Sequence, residues 1–104
     1  MAKSSFAELV NRDSLTFVDF SAEWCGPCKM MKPVLEQLRG KMGDSIRILK
    51  IDIDKTPAMA NALHIQSVPT LMLFQNGKML WRESGVIQAN DLERIIKQHS
   101  KTDA

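Results

Sequence analysis

The hydrophobic positions of this chain change period several times, and each change marks an element. Ser5-x-x-Glu8 has the form of a capping box, and Phe6, Leu9 and Val10 follow at i, i+3, i+4 spacing. The pattern predicts a short helix over Ser5 to Arg12. Leu15 to Phe20 is an apolar run of strand length, interrupted by one acid, Asp19. From Pro27 to Arg39, Met31, Val34, Leu35 and Leu38 mark one helical face, with Pro33 inside the helix, where a missing backbone hydrogen bond is expected to kink it. Gly40 and Gly43 offer stops. Ile46 to Ile53 reads as a second strand, with isoleucine on alternate positions and a phase shift at Leu49-Lys50.

Thr56-Pro57 has the form of an N-cap followed by proline at the first helical position, predicting a short helix to about His64. Thr70 to Gln75 is a third strand, Asn76-Gly77 a two-residue hairpin signal, and Lys78 to Glu83 the returning antiparallel strand, ended by Gly85. Leu92, Ile95, Ile96 and His99 describe a closing amphipathic helix, with Asn90-x-x-Glu93 as its expected cap. The order α-β-α-β-α-β-β-α predicts an α/β fold: a mixed, twisted sheet with helices on both faces. Strand-helix-strand units imply parallel crossovers, and the last two strands an antiparallel hairpin. Residue 25 then falls at the carboxyl end of a strand, where open α/β sheets carry their sites.

A length of 104 residues bounds this to one domain, expected over 1–104 with its core at about 5–99. Hydrophobic residues make up 44% and charged residues 25%, which fits a globular core needing no disulfide framework. The net charge of +2 comes without a basic run, so nothing supports nucleic-acid binding. Met1 to Val10 holds no apolar stretch of signal-peptide length, and no segment approaches the ~20 apolar residues of a membrane helix. A cytoplasmic location is expected, where thiols stay mostly reduced.

Only two cysteines are present, in Trp24-Cys25-Gly26-Pro27-Cys28. Such a pair is a metal half-site, a structural staple or a redox couple. Zinc needs two further ligands, and the only imidazoles, His64 and His99, fit no compact ligand knuckle. Two intervening residues at a helix start bring the sulfurs within bonding distance, the first expected to be exposed and the second inward. The helix amino terminus favours a thiolate there. Lowering a thiol pKa from ~8.5 to ~7 raises its thiolate fraction at neutral pH from roughly 3% to about half. Nucleophilicity falls about fivefold in return, leaving a net gain of only about threefold. Geometry and partner docking must supply the rest. Asp19, six residues before Cys25, is read as a desolvated carboxylate of raised pKa close enough to exchange a proton with the sulfurs. The competing reading points it to solvent at a sheet edge. Lys50 interrupts the neighbouring strand in the same way and is expected to face it, or to serve as an edge-strand charge.

The segment Val18-Asp19-Phe20-Ser21-Ala22-Glu23-Trp24-Cys25-Gly26-Pro27-Cys28-Lys29 resembles the active-site signature of the thioredoxin family. Pro33, Ile53-Asp54, Val68-Pro69-Thr70, Asn76-Gly77 and Gly85 match further family positions in order, over residues 5 to 99. The resemblance implies a thioredoxin fold and a protein-disulfide reductase, with Cys25 as attacking thiolate, Cys28 as resolving thiol, and a redox disulfide between them. It implies that Asp19 assists proton transfer with Lys50 as its partner, and that Pro69 is cis. Trp24, Gly26, Pro27, Val68, Pro69 and Gly85 would line the substrate surface. No cofactor or metal is implied. The partners implied are thioredoxin reductase and disulfide-containing proteins such as ribonucleotide reductase, methionine sulfoxide reductase and peroxiredoxin, with the chain a monomer. The rival from another class is a binding module that uses the same surface without redox work. Two departures stand out. Only Met1 to Ser4 precede the first helix, so the family's amino-terminal strand is expected to be absent or vestigial and the sheet four-stranded. Ser21 stands where the family often carries an aromatic ring, a loss expected to admit water near Asp19.

Overall fold

In the computed structural model, which describes residues 5–100, the strand over Leu15–Ser21 (β1) is buried at every position. It can be, because β1 lies inside a four-stranded sheet. Ile46–Asp52 (β2) pairs with it in parallel on one side, and Thr70–Gln75 (β3) antiparallel on the other. Lys78–Ser84 (β4) closes the order β2-β1-β3-β4, leaving β2 and β4 as the edges among the described residues. The expected absence of a strand at Met1 to Ser4 lies outside the described residues.

Helices cover both faces. Gly26–Met42 (α2) and Ala89–Ser100 (α4) pack on one, where Phe17, Met31, Leu35, Leu38, Leu71 and Leu92 form the larger core. Phe6–Val10 (α1) and Pro57–Ala62 (α3) cover the other, where Val10, Val18, Phe20, Met72 and Phe74 form the smaller one. Phe6 meets the rings of Phe20 and Phe74 at 5.8 and 5.2 Å, an edge contact in the second case. The capping box at Ser5 and Glu8 closes reciprocally, through bonds of 3.0 and 3.2 Å. At the hairpin, Asn76 and Gly77 both have positive φ, 53° and 80°, as a type I′ turn requires.

Five expectations need correction. The third strand is not parallel: β3 runs antiparallel to β1. A parallel return must carry the chain back along a strand of about 23 Å, whereas a helix of six residues rises only about 9 Å. The chain therefore enters β3 from the end at which it left β2. The phase shift in β2 is also absent, since its register with β1 is continuous from Ile46 to Asp52. Ile46 and Ile48 pack on the α2 face and Leu49, Ile51 and Ile53 on the α3 face, so the strand serves two cores. Asn90 is not a cap, because α4 starts at Ala89 and its first turn closes from Leu92 N–H to the Gln88 carbonyl. Thr56 holds the N-cap position of α3, but its hydroxyl donates backwards to the Asp52 carbonyl at 2.9 Å. Gly40 does not stop α2, which continues through Pro33 to Met42 and is capped by Gly43.

Candidate active site

After β1 the chain makes a tight bend, in which Cys25 N–H donates to the Ala22 carbonyl at 3.2 Å. Cys25 thereby becomes the N-cap of α2, with extended backbone, and its Sγ accepts from Cys28 N–H at 3.1 Å. A sulfur here takes the place usually held by a serine or aspartate oxygen, facing the free N–H groups of a 17-residue helix. Pro27 lies in the first turn, where its missing N–H costs nothing. Cys25 and Cys28 are joined as a disulfide, with Cα atoms 5.3 Å apart.

Both cysteines are buried as residues. Cys25 is 4% and Cys28 2% exposed, whereas the helix-start geometry predicts an exposed first cysteine. Ile53 and Val68 pack against the pair and Ala22, and close it over. Trp24, Gly26 and Pro27 provide the exposed rim instead. Trp24 is held although 69% exposed, because its Nε1–H donates to Asp54 Oδ2 at 2.8 Å. Asp54 is in turn positioned by its own N–H, which donates to Asp52 Oδ1 at 2.8 Å. The sequence signals the Asp54 and Ile53 contacts only as the end of a strand, since nothing local ties residue 54 to residue 24.

Opposite α2, the Val68 carbonyl oxygen lies 3.5 Å from Cys25 Sγ, where a reduced Cys25 thiol can donate to it. The Val68–Pro69 peptide bond is cis. Pro69 is buried and its carbonyl accepts from Gly85 N–H at 2.9 Å. Gly85 has φ +102° in otherwise open space, so backbone conformation alone demands glycine. The structure thus brings Cys25, Val68, Pro69 and Gly85 together from three separate stretches of chain.

Asp19 is fully buried, and neither carboxylate oxygen has a hydrogen-bond partner among the described residues. The edge-of-sheet reading therefore fails. Burial pushes its pKa up to about 6, partly offset by the positive charge of Lys50. Lys50 is its direct partner in the β1–β2 register and is itself exposed. Ser21, two residues along the same face, remains buried at 4% exposure. Ser21 lines a cleft of about 510 Å³ with Ala22, Glu23, Cys28, Lys29, Lys50 and Asp52. This cleft adjoins the inner cysteine. Among the described residues, no three His, Cys, Asp or Glu side chains converge to hold a metal ion.

The family model described as Thioredoxin matches residues 1–98. Thioredoxin Y, chloroplastic, of Oryza sativa subsp. japonica is 43% identical over 95 residues, 90% of this chain and 56% of the rice protein. The chain thus spans little more than half of that relative's length. A thioredoxin of Chlamydia trachomatis serovar D is 40% identical over 99 residues, 95% of each chain. Among solved structures, a crystal structure of chloroplastic thioredoxin z superposes with a TM-score of 0.79 at 33% identity, covering 86% of this chain and 81% of that one.

Proposed function

The chain belongs to the thioredoxin family and is a thiol–disulfide oxidoreductase acting on protein disulfides, and we propose that Cys25 attacks, Cys28 resolves and Asp19 takes up the proton of Cys28. The observation that carries this reading is the Cys25 sulfur capping α2 beneath the Val68 carbonyl. As a thiolate, Cys25 attacks one sulfur of a partner's disulfide. A mixed disulfide forms, and the partner's other sulfur leaves and takes up a proton. Cys28 loses its proton towards Asp19 and attacks Cys25 Sγ, expelling the second partner thiolate. The partner gains two electrons and two protons, and the Cys25–Cys28 bond is restored. A carboxyl with pKa about 6 exchanges protons near neutral pH far more readily than one at the usual 3.8.

Lys50 tunes Asp19 through its charge. Trp24, Gly26, Pro27, Val68, Pro69 and Gly85 form the docking surface, with the backbone at Val68 free to pair with an extended substrate. A reductase returns the dithiol. We assign this to thioredoxin reductase drawing on NADPH, and name ribonucleotide reductase, methionine sulfoxide reductases and peroxiredoxins as targets. The chain works as one domain and as a monomer, in the cytoplasm. No helix of the described residues is long and apolar enough to cross a membrane.

Insulin reduction with dithiothreitol tests the reading. Cys25→Ser is expected to abolish turnover and Cys28→Ser to accumulate a trapped mixed disulfide. A reduction potential near about −270 mV fits a reductase, and one near about −120 mV an oxidant. Partner binding and cellular phenotype that survive both serine substitutions would mean a binding module instead.

A further inference from the structure

The segment from His64 to Val68 carries the carbonyl that faces Cys25, yet few of its side chains are packed. Gln66 and Ser67 are exposed, and Ile65 alone reaches a core cluster before Val68. Its start is a Schellman turn, with bonds from His64 N–H to the Asn61 carbonyl at 3.1 Å and from Ile65 N–H to the Ala60 carbonyl at 2.9 Å. His64 occupies the left-handed position of that turn with φ 55°, a conformation that costs a residue bearing a Cβ roughly 1–2 kcal/mol. The turn uses up the helix carbonyls but leaves those of Leu63 and His64 to find donors elsewhere. Arg82 supplies both: Nη1 donates to the Leu63 carbonyl at 2.6 Å and Nη2 to the His64 carbonyl at 2.9 Å. The guanidinium reaches across from β4, whose Arg82 pairs with Met72 on the α3 face of the sheet.

The far end of the same segment is tied to the same strand. Thr70 Oγ1 donates to the Ser67 carbonyl at 2.6 Å and lies 3.2 Å from Ser84 Oγ. Gly85 N–H holds the Pro69 carbonyl. Residues 82, 84 and 85 thus brace the segment at both ends. We propose that Arg82 is a positioning residue for disulfide exchange, holding the carbonyls of Leu63 and His64 so that residues 65–68 meet an incoming protein substrate in a fixed place beside Cys25. The inference rests on the reductase reading above. A planar fork with two N–H donors fits two successive carbonyls, whereas lysine offers one compact charge. Because Arg82 touches neither sulfur nor substrate, its loss acts on docking rather than on sulfur chemistry.

The test compares wild type, Arg82→Ala and Arg82→Lys on two disulfides. Insulin engages the segment, and bis(2-hydroxyethyl) disulfide is too small to reach it. For Arg82→Ala, KM for insulin is expected to rise roughly three- to tenfold, the range for charged but exposed hydrogen bonds. Its kcat, and the rate with the small disulfide, stay within about twofold of wild type, and Arg82→Lys falls between. An unchanged KM, or equal losses on both disulfides, overturns the proposal. Amide exchange at Ile65, Gln66 and Ser67 is the second readout, expected to quicken in Arg82→Ala while β1 amides do not. Exchange equal to wild type also overturns it. Should Arg82→Ala fail to fold, Arg82→Gln takes its place in both measurements. A wild type inactive on insulin would sink the reductase reading alone, and exchange would still decide whether Arg82 braces the segment.

Discussion

Along β1 and β2, the two faces of the sheet end differently. On the α3 face, Val18 and Phe20 of β1 and Leu49 and Ile51 of β2 stay apolar to the last residue, with Ile53 continuing beyond the strand. On the α2 face, Leu15, Phe17, Ile46 and Ile48 are apolar, but the stripe then stops. Asp19, Ser21, Lys50 and Asp52 take over along the same alternation, and three of these four line the cleft beside Cys28. One face begins at Thr16 and Arg47 and is apolar from Val18 and Leu49 onward. The other is a core for half its length and turns polar beside the Cys28 cleft for the rest. A fully buried carboxylate without a hydrogen-bond partner costs stability, and such costs gather where chemistry needs a shifted pKa. The lesson is that the cleft beside Cys28 begins where an apolar stripe ends.

The sharpest way to break this comparison is to put a carboxylate on the apolar face. Val18→Asp is expected to cost more than about 4 kcal/mol or to prevent folding, because no cation sits opposite that position in the register. Urea unfolding measures it, and tolerance of the change would mean that the two faces do not differ. Removing the native carboxylate acts in the opposite direction. Asp19 binds its proton more tightly folded than unfolded, so its contribution to stability is most favourable below about pH 4. That contribution falls as pH rises through about 6 and is level above. At about 1.4 kcal/mol per tenfold in proton affinity, the cost at neutral pH is on the order of 3 kcal/mol. Asp19→Asn should recover about 1–3 kcal/mol above pH 7, part of it lost to the unpaired amide, and flatten the decline between pH 4 and 6. It should also slow resolution of the mixed disulfide near neutral pH, in stopped-flow measurement; an unchanged rate removes Asp19 from the mechanism.

Smaller effects sharpen the polar half. Lys50→Met takes away the charge that holds Asp19 down, so the carboxyl should titrate above 6, read from its side-chain carbon by NMR. A titration left in place would mean that Lys50 acts only as an edge-strand charge. Ser21→Phe sets a ring against the cleft and should exclude water beside Cys28. The same titration should then move upward by less than in Lys50→Met. A downward movement would show that Ser21 does not govern water access.

The period of the apolar positions made most elements legible, and the cysteine spacing with its neighbours made the site's location legible. The failures share a cause. The direction of β3 depended on whether a short helix spans the return path, which no single strand encodes. The apparent phase shift in β2 was two faces superimposed, invisible until the register assigned Leu49 and Lys50 to opposite sides. Cys25 turned out sheltered because Ile53 and Val68, 28 and 43 residues away in the chain, close over it. Asp54 was legible only as a strand end and Arg82 not at all, because each acts through one hydrogen-bonded partner region far off in sequence.

By itself the sequence determined the alternation of elements, the hairpin turn, the Cys25–Cys28 helix start and the presence of an acid in a buried strand, since all of these follow from periodicity and from bonds within a few residues. Only the tertiary structure decided which face Asp19 occupies, how far its pKa moves, what covers the sulfurs and what holds residues 64–68. These depend on desolvation and on distances between remote segments, quantities that come into being only when the strands pair and the helices close over them.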